Sequence, residues 1–254
     1  MSEIVDMDVY LKRMQKGMQD KLWFVNHVHD IDIVVDYGCA DGTLLKHLRN
    51  LWPKAMLIGV DISEDMLKIA RDNVPDAVFM TVDEFFNAGI NLNNSLLVLS
   101  SVVHEIYSYD IDPDAIMNKL FNMDFKTIAV RDMFLSERDA RKGVTHHDYS
   151  NIVNYSDEKQ LHDFESLWGH VNTIHNASHF LLKYKYKENW DRELNENYLP
   201  IYLESFMDTL PQKYDVTYLE HYCNPYIQKN VWDDFFVKFN IKTHAKLLIQ
   251  KKYG

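Results

Sequence analysis

An apolar run that leads directly into a glycine-rich turn constrains this chain more than any other stretch. Residues 33–37 read Ile-Val-Val-Asp-Tyr, a β-branched segment with an acid near its end, and Gly-Cys-Ala-Asp-Gly follows. From Thr43 onward, apolar residues recur at helical spacing. The pattern predicts a buried strand, a tight turn and a helix. Glycines at positions 38 and 42 let backbone N–H groups approach a ligand at the helix N-terminus, so the turn is a candidate ligand site.

Asp36 indicates which kind of ligand this turn accepts. Dinucleotide sites use the pattern G-x-G-x-x-G, whereas this turn is G-x-A-x-G and is one residue shorter. In a dinucleotide site Asp36 would lie where a pyrophosphate passes, and like charges repel each other. The turn therefore favours a ligand with a cationic group.

Three further predicted strands end in informative residues. Residues 55–61 predict a strand that ends at Asp61, about twenty residues after the turn, where an acid can bind ribose hydroxyls. Residues 78–83 predict a third strand that ends at Asp83. Residues 95–101 predict a fourth, followed by Val-Val-His-Glu.

Taken in order, these four strand ends resemble class I S-adenosylmethionine-dependent methyltransferases, over roughly the first half of the chain. Ala40 departs from the glycine that the family usually has in the middle of its first motif. The resemblance implies S-adenosylmethionine as the cofactor, with Asp61 on the ribose and Asp83 on the adenine amino group. The cofactor-binding residues that it implies are Asp36, Gly38, Ala40, Gly42, Asp61, Ile62, Met66, Val82, Asp83 and Ser100.

The rest of the chain predicts an α/β fold with a doubly wound sheet. Strands alternate with helices up to a fifth strand over residues 125–130, which ends at Arg131, and this alternation implies parallel strands with a ligand crevice at their carboxyl ends. Residues 215–222 and 244–251 look like the sixth and seventh strands of the methyltransferase sheet, the last one antiparallel. Helix starts are indicated at three places: Thr43, Ser63 as an N-cap, and Asp112-Pro113.

The predicted organisation has four parts. Residues 1–30 form an N-terminal helical cap, 31–135 the S-adenosylmethionine-binding core, 136–212 a mostly helical insertion that acts as a lid over the acceptor pocket, and 213–254 the closing strands six and seven. The insertion is assigned because no strand pattern as clear as those before it occurs there.

The N-terminal helix is predicted over residues 4–28. Apolar residues recur there at helical spacing: Leu11, Met14, Met18, Leu22 and Val25. Lys21 is interpreted as a solvated side chain of this helix. The alternative, taken from the resemblance, is that Lys21 meets the carboxylate of the cofactor.

The residues after the fourth strand are the candidate catalytic groups. The resemblance places His104 and Glu105 in the acceptor pocket, with Arg131 near the same rim. His104 is the candidate general base because imidazole titrates near neutral pH, and the alternative is a pocket-wall His that only hydrogen-bonds. An alternative is that His146 and His147 form a metal site with His104 and Glu105, of the kind found in RNA-end methyltransferases. That family carries glutamates where this chain has Ser101 and His104, so no metal is predicted.

The charge balance favours a small-molecule acceptor. With 38 acids against 27 bases and a net charge of −11, the chain lacks the positive field that attracts a nucleic-acid backbone. Residues 183–187 are a basic run with interleaved tyrosines, interpreted as a solvated face because Glu188, Asp191 and Glu193 follow. The alternatives are a nucleic-acid methyltransferase and, outside the enzymes, a catalytically silent cofactor-binding or scaffold protein.

The sequence also predicts the compartment. No apolar run reaches the ~20 residues of a membrane span, and the N-terminus lacks the pattern of a signal peptide. Cys39 and Cys223 show neither disulfide nor metal-ligand spacing. We therefore expect a cytoplasmic protein with two free thiols and no membrane partner, and the sequence leaves the oligomeric state open.

Overall fold

A seven-stranded sheet organises residues 17–252, the part of the chain that the computed structural model describes. The strands are β1 Ile33–Tyr37, β2 Met56–Val60, β3 Val78–Met80, β4 Ser95–Ser100, β5 Thr127–Met133, β6 Tyr214–Tyr222 and β7 His244–Lys251. Their order across the sheet is β3-β2-β1-β4-β5-β7-β6. Strands β1 to β5 run parallel, and β7 is antiparallel to both β5 and β6. The predicted doubly wound α/β sheet with an antiparallel last strand is confirmed.

Helices alternate with the first five strands. They are α1 Met18–Lys21, α2 Thr43–Leu51, α3 Glu64–Asn73, α4 Val82–Asn87, α5 Val103–Tyr109 and α6 Pro113–Asn122. The predicted helix starts are confirmed: α2 begins at Thr43, the Ser63 side chain accepts from the N–H of Met66, and the Asp112 side chain accepts from the N–H of Ala115. Such N-caps satisfy backbone donors that a helix leaves unpaired.

The chain between β5 and β6 is helical, as predicted. Its helices are α7 Glu137–Ala140, α8 His146–Tyr155, α9 Glu158–Trp168, α10 Ile174–Lys183, a 3₁₀ helix Lys187–Asn189, α11 Trp190–Asn195 and α12 Leu203–Asp208. Helix α13, Pro225–Phe235, connects β6 to β7. Among residues 17–252 no helix is both long and apolar enough to cross a membrane.

The predicted N-terminal helix is confirmed only in part. Residues 4–16 lie outside the described residues. In the described part α1 ends at Lys21 and the chain tightens into a 3₁₀ helix, Trp23–Asn26, so the prediction of one helix through residue 28 is wrong. The tighter turn stacks the Trp23 ring on Tyr218 of β6, with 5.3 Å between the ring centroids.

The third strand is shorter than predicted. It stops at Met80 because Thr81 begins α4 with a capping box, in which Thr81 Oγ1 accepts from the N–H of Glu84 and the Glu84 carboxylate accepts from the N–H of Thr81. Asp83 therefore lies in the first turn of a helix and not at a strand end.

The fifth strand is longer than predicted and begins at Thr127. It continues to Met133 because its last residues pair with β7, Arg131 opposite Lys246 and Asp132 opposite Ala245. Arg131 and Asp132 are consequently strand residues, and their side chains point to opposite faces of the sheet.

Apolar clusters cover both faces of the sheet. Val34 and Val35, adjacent in β1, point into different clusters, one formed with α2 and α3 and the other with α5 and α6. The second cluster also contains Phe206 of α12, whose ring centroid lies 5.0 Å from that of Phe134 and 6.4 Å from that of Phe121. The end of the insertion is therefore packed in the core of the sheet.

We expect Phe206→Ala to lower the free energy of unfolding of the whole chain by about 3–5 kcal/mol, because it leaves a cavity in a fully buried aromatic cluster. Urea unfolding followed by circular dichroism measures the effect. Leu167→Ala, at a side chain that is 51% exposed, is the control and should change stability by about 0.5 kcal/mol or less. A separate unfolding transition of the insertion, with the main unfolding transition at an unchanged urea concentration, would contradict packing of the insertion in the core of the sheet.

Candidate active site

The turn after β1 adopts a left-handed backbone at three positions. Gly38, Ala40 and Gly42 have φ angles of 81°, 44° and 75°. The N–H of Gly38 donates to the carbonyl of Val60 at 2.7 Å, which ties the turn to the end of β2. A Cβ on Gly38 would lie 2.6 Å from Cγ2 of Val102, so the turn has room only for glycine there.

A small cavity beside this turn brings together opposite charges. Lys21 of α1, Asp36 at the end of β1, Gly38 and Ser100 line it. Burial raises the pKa of Asp36 to about 7, although the Lys21 ammonium opposes that shift. Burial lowers the pKa of Lys21. Lys21 is thus not the solvated residue that was predicted, and the cavity suits a ligand group that carries both an ammonium and a carboxylate.

The cavity opens into a large cleft along the carboxyl ends of the parallel strands. Asp61 lies there at the end of β2, where its carboxylate accepts from the N–H groups of Ala40 and Ser63 at 2.8 and 2.9 Å. Burial raises the pKa of Asp61. Ile62 beside it is apolar yet 69% exposed, and this surface suits a flat ring.

The structure brings nearly all predicted cofactor residues to one place. Those that line the cavity or the cleft are Asp36, Gly38, Ala40, Asp61, Ile62, Met66, Val82, Asp83 and Ser100. Gly42 is not among the described residues that line either space. A Cβ there would lie 3.1 Å from Cβ of Ala70, so Gly42 allows α2 and α3 to approach each other.

His104 is buried at the start of α5 between two carboxylates. Nδ1 lies 2.6 Å from Oδ1 of Asp132, and Nε2 lies 3.0 Å from Oε1 of Glu196. Burial disfavours a charged ring, but the two carboxylates outweigh it and raise the pKa of His104 well above its ordinary value of 6.5. Both ring nitrogens therefore donate, and the imidazolium links β5 to the insertion.

These contacts bear on the predicted role of His104. To accept a proton the ring would have to be neutral, and one nitrogen would have to leave its carboxylate. The contacts favour the alternative interpretation, a His that hydrogen-bonds in the pocket wall. The base role of His104 stays a prediction.

Glu105 is adjacent in sequence but differs in environment. Its side chain lines the cleft and is 32% exposed. Burial raises its pKa to about 7, while the neighbouring His104 lowers it. Within residues 17–252 its closest cationic atom is Nη2 of Arg192, 3.7 Å from Oε1, which exceeds hydrogen-bond distance. The Glu105 carboxylate is therefore open to a ligand in the cleft.

Arg131, the third predicted catalytic residue, lines the cleft and holds the N-terminal segment. Its Nε and Nη2 donate to Oδ2 of Asp20 at 2.9 and 2.8 Å, and Nη1 donates to Oγ of Ser101 at 2.9 Å. Lys246 lies 2.8 Å from the other oxygen of Asp20. Although burial opposes ionisation, Arg131 and Lys246 lower the pKa of Asp20 to about 2. Arg131 anchors α1, and its catalytic role stays a prediction.

The opposite wall of the cleft comes from the insertion, which sequence reasoning missed. Arg192, Glu193, Glu196 and Tyr198 line it and are buried. The sequence signal for this wall is the charged segment 191–196 between Trp190 and Tyr198, because charged residues flanked by aromatic residues are typical of a packed network. In the sequence, Glu188, Asp191 and Glu193 supported a solvated face, and this interpretation is wrong for Glu193, which is buried.

The three lysines of the basic run at residues 183–187 differ in burial, and each lies near an acidic residue or a backbone carbonyl. Lys183 is fully buried, and its Nζ donates to the carbonyls of Glu193 and Glu196 at 2.7 and 2.6 Å, so the prediction of a solvated face is wrong for this residue. Lys185 pairs with Asp234, and Lys187 lies 4.0 Å from Asp157.

Among residues 17–252, one group of side chains has the spacing of metal ligands. His104, Glu105 and Glu196 place one potential ligand atom each within 4.8 Å of one another. Arg192 and the His104 ring already compensate the charge of Glu196. His146 and His147 are exposed at the start of α8 and are not part of this group.

Comparison with known proteins agrees with this arrangement. Residues 34–116 match a family described as a methyltransferase domain. A trans-aconitate 2-methyltransferase of Afipia carboxidovorans is 45% identical over 47 residues, which is 18% of this chain and 18% of that protein, so the match spans about a fifth of the relative's length.

Two solved structures resemble nearly the whole chain. The plantazolicin methyltransferase BamL, in complex with a triazolic desmethylPZN analog and SAH, is 11% identical, covers 94% of this chain and 84% of its own, and has a TM-score of 0.52. A SAM-dependent methyltransferase from Anabaena variabilis is 10% identical, covers 94% and 85%, and has a TM-score of 0.54. At these identities the likeness is one of fold.

We expect His104→Gln to lower the free energy of unfolding by about 3 kcal/mol near neutral pH, because the Asp132 and Glu196 carboxylates stay buried without their shared cation. The pKa of His104 is raised on folding, so its stabilisation is complete below the unfolded value of 6.5 and is lost as the pH rises through the higher native pKa.

Urea unfolding of both proteins between about pH 6 and pH 10 measures this difference. The difference in the free energy of unfolding between wild type and variant should decrease toward alkaline pH. His147→Gln, at an exposed imidazole of α8, is the matched control and should show no such difference. A difference in the free energy of unfolding that stays constant or increases with pH would show that His104 is not charged in the folded protein.

Proposed function

We propose that this chain, which belongs to the class I S-adenosylmethionine-dependent methyltransferases, transfers a methyl group to a small organic molecule. One observation carries the proposal. The cavity that Asp36 lines shares Lys21, Gly38 and Ser100 with the large cleft, and this cleft runs past Asp61 to a second part between α5 and the insertion. A cofactor in the first part and an acceptor in the second would meet near Ser101 and Val102.

The residues of the first part fit S-adenosylmethionine, because the cavity offers opposite charges and the turn excludes a Cβ at Gly38. When bound, this cofactor supplies an electrophilic methyl group on a sulfonium. We assign Asp36 to its ammonium, Lys21 to its carboxylate and Asp61 to its ribose. Asp83 would accept from the adenine amino group.

The remaining predicted residues form the walls of that site. Ile62, Met66 and Val82 offer apolar surface to the adenine, while the backbone at Gly38, Ala40 and Ser100 approaches the middle of the cofactor. For the chemistry, the chain mainly has to hold the acceptor in attack geometry and exclude water, which contributes up to about 7–11 kcal/mol to such reactions. We propose that residues 136–212 serve as the lid.

Three observations support a small acceptor over a nucleic acid. The net charge is −11, and the lysines of residues 183–187 are buried or paired with acids. The relative from Afipia carboxidovorans is named for trans-aconitate, a small molecule. A silent binding protein is the remaining alternative, because Asp36 and Asp61 support binding but do not report on turnover.

The proposal is tested by incubation with methyl-labelled S-adenosylmethionine and a cell extract separated into small-molecule, nucleic-acid and protein fractions. Label should enter the small-molecule fraction. Asp36→Asn should abolish most of it, and Asp72→Asn, at an exposed residue of α3 outside the cleft, should not. Label in the nucleic-acid fraction would support the alternative acceptor. Cofactor binding without label in any fraction would indicate a silent protein.

We further expect the affinity for S-adenosylhomocysteine to rise about tenfold between about pH 6 and pH 8, because Asp36, with a pKa raised to about 7, must ionise to bind an ammonium. Isothermal calorimetry measures it. The affinity for 5′-methylthioadenosine, which lacks the amino-acid group, should stay constant, and Asp36→Asn should flatten the profile. A wild-type affinity for S-adenosylhomocysteine that does not change with pH would contradict binding of the ammonium by Asp36.

A further inference from the structure

In the described part of the chain, three glutamates line the acceptor half of the cleft, the part between α5 and the insertion. Glu105 of α5 and Glu193 and Glu196 of the insertion line it, and their cationic neighbours are Arg192 and His104. The His104 imidazolium also serves Asp132. Asp132 does not itself line the cleft, and the buried Lys183 is a third cation beside Glu193 and Glu196.

Glu193 and Glu196 are already satisfied within the protein. Glu196 is reached by Nε2 of His104 at 3.0 Å, by the hydroxyl of Tyr109 at 3.2 Å and by Nη2 of Arg192 at 3.3 Å. Glu193 is reached by Nη1 of Arg192 at 3.2 Å and by the hydroxyl of Tyr198. Both glutamate side chains are only 3% exposed.

Glu105 differs from both in exposure and in contacts. Its side chain is 32% exposed toward the cleft, and Arg192 remains 3.7 Å away. Among these three glutamates, Glu105 is therefore the carboxylate that a ligand can reach. The acceptor half is continuous with the part of the cleft that begins at the glycine turn.

Cations on the neighbouring strands offer little to an anionic acceptor. Arg131 and Lys246 share Asp20, and Lys246 also lies 3.1 Å from Glu220. A polycarboxylate such as trans-aconitate would bring negative groups against Glu105, which costs free energy in a partly desolvated pocket. Tyrosine rings that also line the cleft favour a cation: Tyr109, Tyr186 and Tyr226.

Resting on the proposed function, we infer that the acceptor is an amine, held as its ammonium by the Glu105 carboxylate, which then takes a proton from it. The N–H bond breaks, the proton goes to a carboxylate oxygen of Glu105 and the electron pair stays on nitrogen. Nitrogen then forms the bond to the methyl carbon as the carbon–sulfur bond breaks, and Glu105 returns its proton to water.

The charges around Glu105 are compatible with this proton transfer. Burial raises its pKa, His104 and Arg192 lower it, and Glu196 and Asp132 raise it, to a result of about 7. A carboxylate of this pKa is ionised in part at neutral pH and holds a proton more readily than an ordinary glutamate.

Binding of four analogues of S-adenosylhomocysteine tests the inference without knowledge of the natural acceptor. All four keep the amino-acid group and replace the sulfur by nitrogen. On this nitrogen two of them carry an aminoalkyl arm and two a carboxyalkyl arm, in a shorter and a longer form of each. By calorimetry, the better aminoalkyl analogue should bind about tenfold tighter than either carboxyalkyl analogue, as expected for one charge-assisted hydrogen bond.

Glu105→Gln should remove this preference while S-adenosylhomocysteine still binds, which shows that the variant is folded. Glu158→Gln, at an exposed residue of α9 outside the cleft, should retain the preference. Equal binding of the two arms, or tighter binding of the carboxylate, with S-adenosylhomocysteine bound normally, would overturn the amine acceptor and leave the proposed function intact. Failure of S-adenosylhomocysteine and all four analogues to bind would overturn the proposed function itself.

Discussion

A buried imidazolium between two carboxylates is the interaction on which the cleft depends. His104 reaches Asp132 on β5 and Glu196 in the insertion, residues 28 and 92 positions away in sequence. Removing such charges from water is costly, and two apolar side chains of similar size could hold two elements together equally well. Unlike apolar contacts, the ion pairs fix the position of the Glu196 carboxylate. Through Glu196 they also fix the positions at which Arg192 and Glu105 face the cleft.

Lys183 supports the same wall from behind. Its ammonium donates to the carbonyls of Glu193 and Glu196, and its Nζ lies 4.8 Å from the centroid of the Tyr198 ring. Burial lowers the pKa of Lys183 to about 7 despite the two glutamates. Burial therefore disfavours the charged form of Lys183, while the hydrogen bonds of its Nζ tie the backbone that carries the glutamates into one coupled network.

The sequence was sufficient for the sheet and for the cofactor half of the cleft, because local patterns encode them. Strands buried on both faces leave continuous apolar runs, and the turn at Gly38 needs glycine whatever surrounds it. The early end of β3 was also readable, since Thr81 and Glu84 form the spacing of a capping box. The acceptor wall was not, because the meaning of Arg192 depends on partners that only the tertiary fold supplies.

The two halves of the cleft share one electrostatic property. Asp36 in the cofactor half and Glu105 in the acceptor half both have pKa values raised to about 7, with burial as the largest cause. Folding therefore takes up protons at these carboxyls, and each makes the folded state less stable as the pH rises from its unfolded value toward 7. A ligand ammonium beside either carboxylate replaces the bound proton and restores that stability. Burial of these carboxyls thus destabilises the unliganded protein near neutral pH and makes the cleft selective for cationic groups. One such group is on the cofactor and, as inferred for Glu105, the other is on the acceptor.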